Sequence, residues 1–135
     1  MMSRRFVLKT LAVVTLSGLG APVLAASRRS ASIRILDTEN DGTLDLAEAK
    51  KAASALFARL DRDHDGTLDK RELAGRLSAR ELAAADPDHD GTLTADEYLA
   101  VVEQRFKAAN PDNDGTLDGK ELNTSAGRAL LRLLR

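Results

Sequence analysis

The sequence predicts an all-α protein, a compact helical bundle built from four acidic loops with shared helices. Loop 1 is expected to pair with loop 4, and loop 2 with loop 3. Three observations predict this. A twelve-residue pattern, D-x-[DE]-x-D-G-T-L-x-x-x-E, occurs four times with starts 24, 25 and 24 residues apart, Asn110 replacing the first Asp in the last copy. The stretches between copies are alanine-rich and short. Apolar residues flank every copy at helical spacing.

The loops run from Asp37 to Glu48, Asp61 to Glu72, Asp86 to Glu97 and Asn110 to Glu121. Each sets oxygen-bearing side chains at positions 1, 3, 5, 9 and 12, with a glycine at position 6. This is the EF-hand pattern, in which staggered oxygens wrap a hard cation and the glycine permits a sharp turn. The candidate metal-ligating residues of loop 1 are Asp37, Glu39, Asp41, Asp45 and Glu48, with the Thr43 carbonyl from position 7. Loop 2 offers Asp61, Asp63, Asp65, Thr67, Asp69 and Glu72, and loop 3 offers Asp86, Asp88, Asp90, Thr92, Thr94 and Glu97. Loop 4 offers Asn110, Asp112, Asp114, Thr116, Asp118 and Glu121.

Segment 49–60 carries no helix breaker, so it reads as one helix shared by loops 1 and 2. Segment 98–109 does the same for loops 3 and 4. The middle segment, 73–85, differs. Gly75 weakens its helix, and Ser78-Ala79-Arg80-Glu81 has the form of a capping box that starts a new one. Leu73 to Leu77 is therefore expected to leave loop 2, and Ala79 to Ala85 to enter loop 3. Loops 2 and 3 then share one end of the molecule, and loops 1 and 4 the other. Leu68 should pair with Leu93, and Leu44 with Leu117, across short backbone bridges. Ile33, Phe57, Leu82, Phe106, Leu73, Tyr98, Leu122, Leu77, Val101 and Val102 are the expected core. The tail, Ala126 to Arg135, reads as a short amphipathic helix that closes the bundle.

Residues 1–25 read as a cleaved signal peptide and 26–135 as a single domain. Arg4 and Arg5 precede an apolar run from Phe6 to Leu19, and Val23-Leu24-Ala25 offers a cleavage site. The run is shorter than the ~20 apolar residues a membrane span needs. The Ser3-Arg4-Arg5-Phe6-Val7-Leu8-Lys9 stretch resembles a twin-arginine export signal. The expected destination is a bacterial periplasm, with no membrane contact after cleavage. Beyond the leader, 17 basic residues stand against 21 acidic ones, a net charge of −4. Scattered basic residues and few aromatics argue against nucleic-acid binding. The lack of cysteine excludes thiol chemistry. No nucleophile–base arrangement appears, so an enzyme is not expected. His64 and His89, at position 4, read as solvated.

Loops 1 and 2 carry five candidate carboxylates each, and loops 3 and 4 carry four. Five charges repel one another around a divalent ion more than around a trivalent one, because attraction scales with ionic charge. This tilts the reading toward a lanthanide, with Ca²⁺ as a weaker or alternative ligand. The two Met residues of the chain both stand in the leader, so a Met-rich sensor groove is missing.

The sequence resembles the lanmodulin family, periplasmic lanthanide-binding EF-hand proteins of methylotrophic bacteria. The likeness rests on the loop spacing, the Asp86 to Leu93 stretch, the Asn110-Pro111 start of loop 4, the Gly-Arg-Leu-Ser middle turn, and Lys107-Ala108-Ala109. It extends from Ile33 to Arg135. The resemblance implies selective, high-affinity capture of lanthanide(III) ions, metal-induced folding, and a periplasmic partner that receives the metal. Departures are Thr38 and Arg62 where the family usually has proline, Thr94 in place of Asp, and Glu39 in place of a shorter acid. Loops 1 and 2 are accordingly expected to be less preorganised, and loop 4, with neutral Asn110, to bind most weakly. The competing expectation is a periplasmic Ca²⁺ buffer or sensor. A calcium-dependent interaction module resembling dockerins is the third.

Overall fold

The computed structural model describes residues 33–135, so the expected leader, 1–25, lies outside the described residues. A helical turn at 33–36 leads into loop 1. Strand β1 (Leu44–Asp45) then opens into helix α1 (Leu46–Leu60), which ends at loop 2. Strand β2 (Thr67–Leu68), helices α2 (Lys70–Leu73) and α3 (Ala79–Ala85), and strand β3 (Leu93–Thr94) form the middle of the chain. Helix α4 (Ala95–Ala109) runs to strand β4 (Thr116–Leu117), and helices α5 (Gly119–Leu122) and α6 (Ser125–Leu131) finish it.

Helices α1 and α4 are the two shared helices, 15 residues each. At ~1.5 Å per residue each spans roughly 22 Å, which separates the loops at its two ends. Both start with a capping box. The Asp45 side chain accepts from Glu48 N–H and the Thr94 side chain from Glu97 N–H, while each Glu reaches back to its cap residue. The predicted bridges form in the predicted registers: Leu44 faces Leu117, and Leu68 faces Leu93. The four leucines are fully buried.

The middle turn departs from expectation in one respect. The helix leaving loop 2 ends at Leu73 instead of continuing to Leu77. Ala74 takes φ 49° and Gly75 φ 78°, so two successive left-handed residues stop it. Ser78 then caps α3 through the predicted box with Glu81.

Helices α1 and α4 pack along the centre, and Phe57 meets the Tyr98 ring edge-on at 5.8 Å. The tail closes this core. Leu130, Leu131, Leu133 and Leu134 are buried, and Tyr98 Oη donates to the Leu133 carbonyl at 2.8 Å. Arg105 Nη1 donates to Ala129 O at 2.7 Å while its Nη2 pairs with Glu81 at 2.8 Å, tying α3, α4 and the tail together. Glu103 bridges Lys50 on α1 and Lys107 on α4, each at 2.9 Å, and these cations hold its carboxyl down at about 2.

The tail lies so close to α5 that a side chain at Gly127 has no room. A Cβ there would stand 2.2 Å from the Glu121 carbonyl oxygen and 2.5 Å from Leu122 Cα. Since the obstacle is backbone, Gly127→Ala is expected to destabilise the fold by about 1–3 kcal/mol in a chemical melt. A second expectation concerns Tyr98, whose phenol is pushed up to about 12 by burial. The folded state therefore keeps this proton where the unfolded chain releases it. Stability contributed by neutral Tyr98 should fall as pH rises from about 10 to about 12. Absorbance at alkaline pH reads it directly, because Tyr98 is the sole tyrosine and the chain has no tryptophan. Tyr98→Phe should remove this pH dependence.

Candidate metal centres

Each loop begins at the C-terminal end of a helix. Asp61 caps α1, Asp86 caps α3, and Asn110 caps α4. Asp37 follows the first helical turn, its N–H donating to Ile33 O at 2.7 Å. All four position-1 residues are buried, between 3% and 8% exposed. A carboxylate there faces two costs. It is desolvated, and it sits where helix carbonyls already concentrate negative charge.

The loop offsets this only in part, by curling its own amides onto that carboxylate. Asp61 accepts from Asp65 N–H (3.2 Å) and Gly66 N–H (3.0 Å). Asp37 accepts from Asp41 and Gly42 N–H, and Asp86 from Asp90 and Gly91 N–H. The glycine at position 6 is needed for its backbone. Gly66 takes φ 82°, and a Cβ placed on it would meet nothing within 4 Å, so conformation and not space selects glycine. Position 4 is also left-handed, at φ 54° to 58° for Asn40, His64, His89 and Asn113. Asn and His tolerate that region better than most residues. That gives the two exposed histidines a conformational role beyond the solvated one expected of them.

Positions 3, 5 and 7 form a second layer. Asp65 N–H also reaches Asp63 Oδ1 (3.2 Å), and Thr67 donates to Asp65 Oδ1 from N (2.8 Å) and Oγ1 (2.9 Å). The same Thr-to-Asp pair of bonds recurs at Thr43, Thr92 and Thr116. It holds the Asp41 and Asp65 carboxyls below the usual carboxylate range. Position 9 has a role beyond the ligation expected from sequence. Asp45, Asp69, Thr94 and Asp118 are the N-caps of the four outgoing helices. A threonine hydroxyl serves there as an aspartate does, which accounts for Thr94 in loop 3.

Two loops bring their carboxylates together. In loop 2, ligand oxygens of Asp61, Asp63, Asp65 and Glu72 lie within 4.8 Å of one another. In loop 3, those of Asp86, Asp88 and Glu97 do. Among the described residues, the acids of loops 1 and 4 form no group this tight. Such crowding disturbs protonation. The Asp88 carboxyl is raised chiefly by a hydrogen bond shared with Asp86, with burial adding to it, and Asp86 is correspondingly lowered. For Asp63, the Asp65 N–H bond pulls downward, yet burial, the contact with Asp61 and repulsion from Asp65 and Glu72 together raise it. In loop 4, with the Asn110 side-chain oxygen and nitrogen assigned by their neighbours, the amide donates to Asp112 Oδ1 (2.6 Å) and accepts from Gly115 N–H (3.2 Å). The neutral amide thus reproduces part of the aspartate's role while engaging a neighbouring ligand oxygen.

Residues 54–84, which hold loop 2 and its flanking helices, match the family described as EF hand. That stretch is similar to an EF hand. Its acidic groups are placed to hold a metal ion, and the donor set is all oxygen, as a hard cation requires. No curated protein matches the chain. Position 1 has a similar backbone conformation with and without a following proline. Asp61, followed by Arg62, takes φ −71° and ψ 78°, and Asp86 and Asn110, each followed by proline, take ψ 86° and 75°.

Asp61→Asn isolates the cost of the buried charge. In chelator the variant is expected to be more stable by about 0.5–1 kcal/mol, through relief at the helix end. Its ion affinity at loop 2 should fall. A calorimetric titration and a thermal melt on the same sample read the two opposite signs.

Proposed function

We propose that this chain captures trivalent lanthanide ions with high affinity in a bacterial periplasm, and that capture drives its folding. The observation that carries this reading is loop 2, where four carboxylates converge within 4.8 Å at the end of a helix. That concentration of negative charge favours a trivalent ion over a divalent one, since attraction grows with ionic charge. Folding on capture follows from the same geometry. Four crowded acids at a helix terminus oppose the fold until a cation balances them. The leader-like residues 1–25 support export, and the lanmodulin resemblance supports a role in lanthanide uptake or trafficking. Delivery would go to a periplasmic partner. We read the chain as a binding protein and not as an enzyme; the support is that the acids converging in loops 2 and 3 are groups that could hold a metal ion. Among the described residues, no helix is long and apolar enough to cross a membrane.

A periplasmic Ca²⁺-binding role is the second reading. It is favoured by loop 3, where Thr94 replaces an acid at position 9 and only three carboxylates converge, less negative charge than in loop 2.

Far-UV circular dichroism of the chain under buffered free La³⁺, and separately free Ca²⁺, discriminates the two. Helicity is expected to rise at La³⁺ concentrations several orders of magnitude below those needed for Ca²⁺. Similar midpoints for the two ions would leave the calcium protein as the answer. Tb³⁺ luminescence sensitised by Tyr98, which directly follows the loop 3 glutamate Glu97, should be lost in Glu97→Gln.

A further inference from the structure

We propose that Thr38 is a latch that holds the loop 1 glutamate, Glu48, against the loop's own backbone and makes loop 1 a weaker cation site than loop 2. The inference rests on the reading of the loops as metal centres and concerns how one of them is tuned.

The position-12 glutamate has two oxygens with different roles. In all four loops Oε2 is bonded to the position-9 N–H, at 3.1 Å in loops 1 and 2, 2.7 Å in loop 3 and 2.9 Å in loop 4. That leaves Oε1, and here the loops differ. Glu48 Oε1 accepts from Thr38 N–H (2.7 Å), Thr38 Oγ1 (3.2 Å) and Glu39 N–H (3.2 Å). Glu72 Oε1 accepts from Arg62 N–H alone (3.1 Å) among the described residues. In loops 3 and 4 the residue at position 2 is Pro87 or Pro111, which has no N–H to give. A carboxylate oxygen has two lone pairs, so three donors saturate Glu48 Oε1 while one leaves Glu72 Oε1 room for a cation.

A second observation agrees. The carboxylates of loops 2 and 3 converge within 4.8 Å, and those of loop 1 do not. Glu48 is also 6% exposed, so its hydrogen bonds are shielded from competing water. Backbone preorganisation by proline does not account for the difference. Position 1 has nearly the same ψ before Arg62 (78°) as before Pro87 (86°) and Pro111 (75°). What position 2 changes is the number of donors aimed at the glutamate. Any hard multivalent cation that binds loop 1 through both glutamate oxygens must displace the Thr38 bonds first.

The test is Thr38→Pro in the full ¹⁵N-labelled chain, titrated with La³⁺ and separately with Ca²⁺. Each loop has its own reporter, the position-6 amide of Gly42, Gly66, Gly91 or Gly115. Thr38→Pro is expected to lower the Gly42 midpoint by about tenfold or more, the scale of losing a hydrogen bond to a charged group. The Gly66 and Gly91 midpoints should stay within about twofold. In chelator the variant should melt at a lower temperature, since the latch supports the ion-free fold. Thr38→Val, which keeps the N–H and loses the hydroxyl, should give a smaller shift of the same sign. Pro87→Thr, which installs donors in loop 3, should raise the Gly91 midpoint. An unchanged or raised Gly42 midpoint in both Thr38 variants overturns the latch. So does tighter binding accompanied by a higher melting temperature in chelator, which would mark preorganisation. If no glycine of the native chain responds to either ion, the metal-centre reading fails and the latch falls with it.

Discussion

A buried carboxylate at the C-terminal end of a helix is the arrangement on which the rest of this molecule depends. Asp37, Asp61 and Asp86 each stand where helix carbonyls point and where water is excluded. Neither condition suits an anion. The loop responds by turning its amides inward, which requires left-handed residues at positions 4 and 6 and draws the later acids toward the first. The unfavourable site is therefore also the organising site.

The same acids hold the fold together in the other direction. Positions 9 and 12 form a reciprocal capping box at the start of every outgoing helix, so each acidic loop also caps the helix that follows it. Because α1 and α4 are each shared, the end of one cap-initiated helix carries the first candidate ligand of the next loop. Asp61 stands at the end of the helix that Asp45 and Glu48 begin. Bridges between Leu44 and Leu117, and between Leu68 and Leu93, close the remaining two connections. The four loops thus form a ring in which helices and bridges alternate. Local order at any loop bears on its two neighbours.

Within that ring the two ends are unequal. The end holding loops 2 and 3 gathers its carboxylates tightly. At the other end, Thr38 engages Glu48 and Asn110 engages Asp112, so protein donors take up oxygens that a cation needs. The core beneath is ordinary by comparison. It consists of leucines, the Phe57 and Tyr98 rings, and a tail pinned by Tyr98 Oη and Arg105.

Much of this was legible in the amino-acid order. The four loops, the shared helices, the Ser78 cap and the leucine pairing all follow from short-range pattern, since loop spacing left too few residues for separate helices between loops 1 and 2 or 3 and 4. Capping boxes and glycine turns are also local, and so readable from neighbours in the chain. Other features depend on groups brought together from afar or on fine conformation. The early stop at Ala74 required a left-handed alanine that no propensity favours. Gly127 is demanded by the backbone of α5 pressing on the tail, a contact invisible in the pattern. Burial of position 1 and the hydrogen bonds from Thr38 across loop 1 to Glu48 arise only once the loop has closed. Sequence by itself determined which residues are candidate ligands, because residue type and spacing are local properties. Tertiary structure decided which of their oxygens remain free, because that depends on where the closed loop's own donors fall.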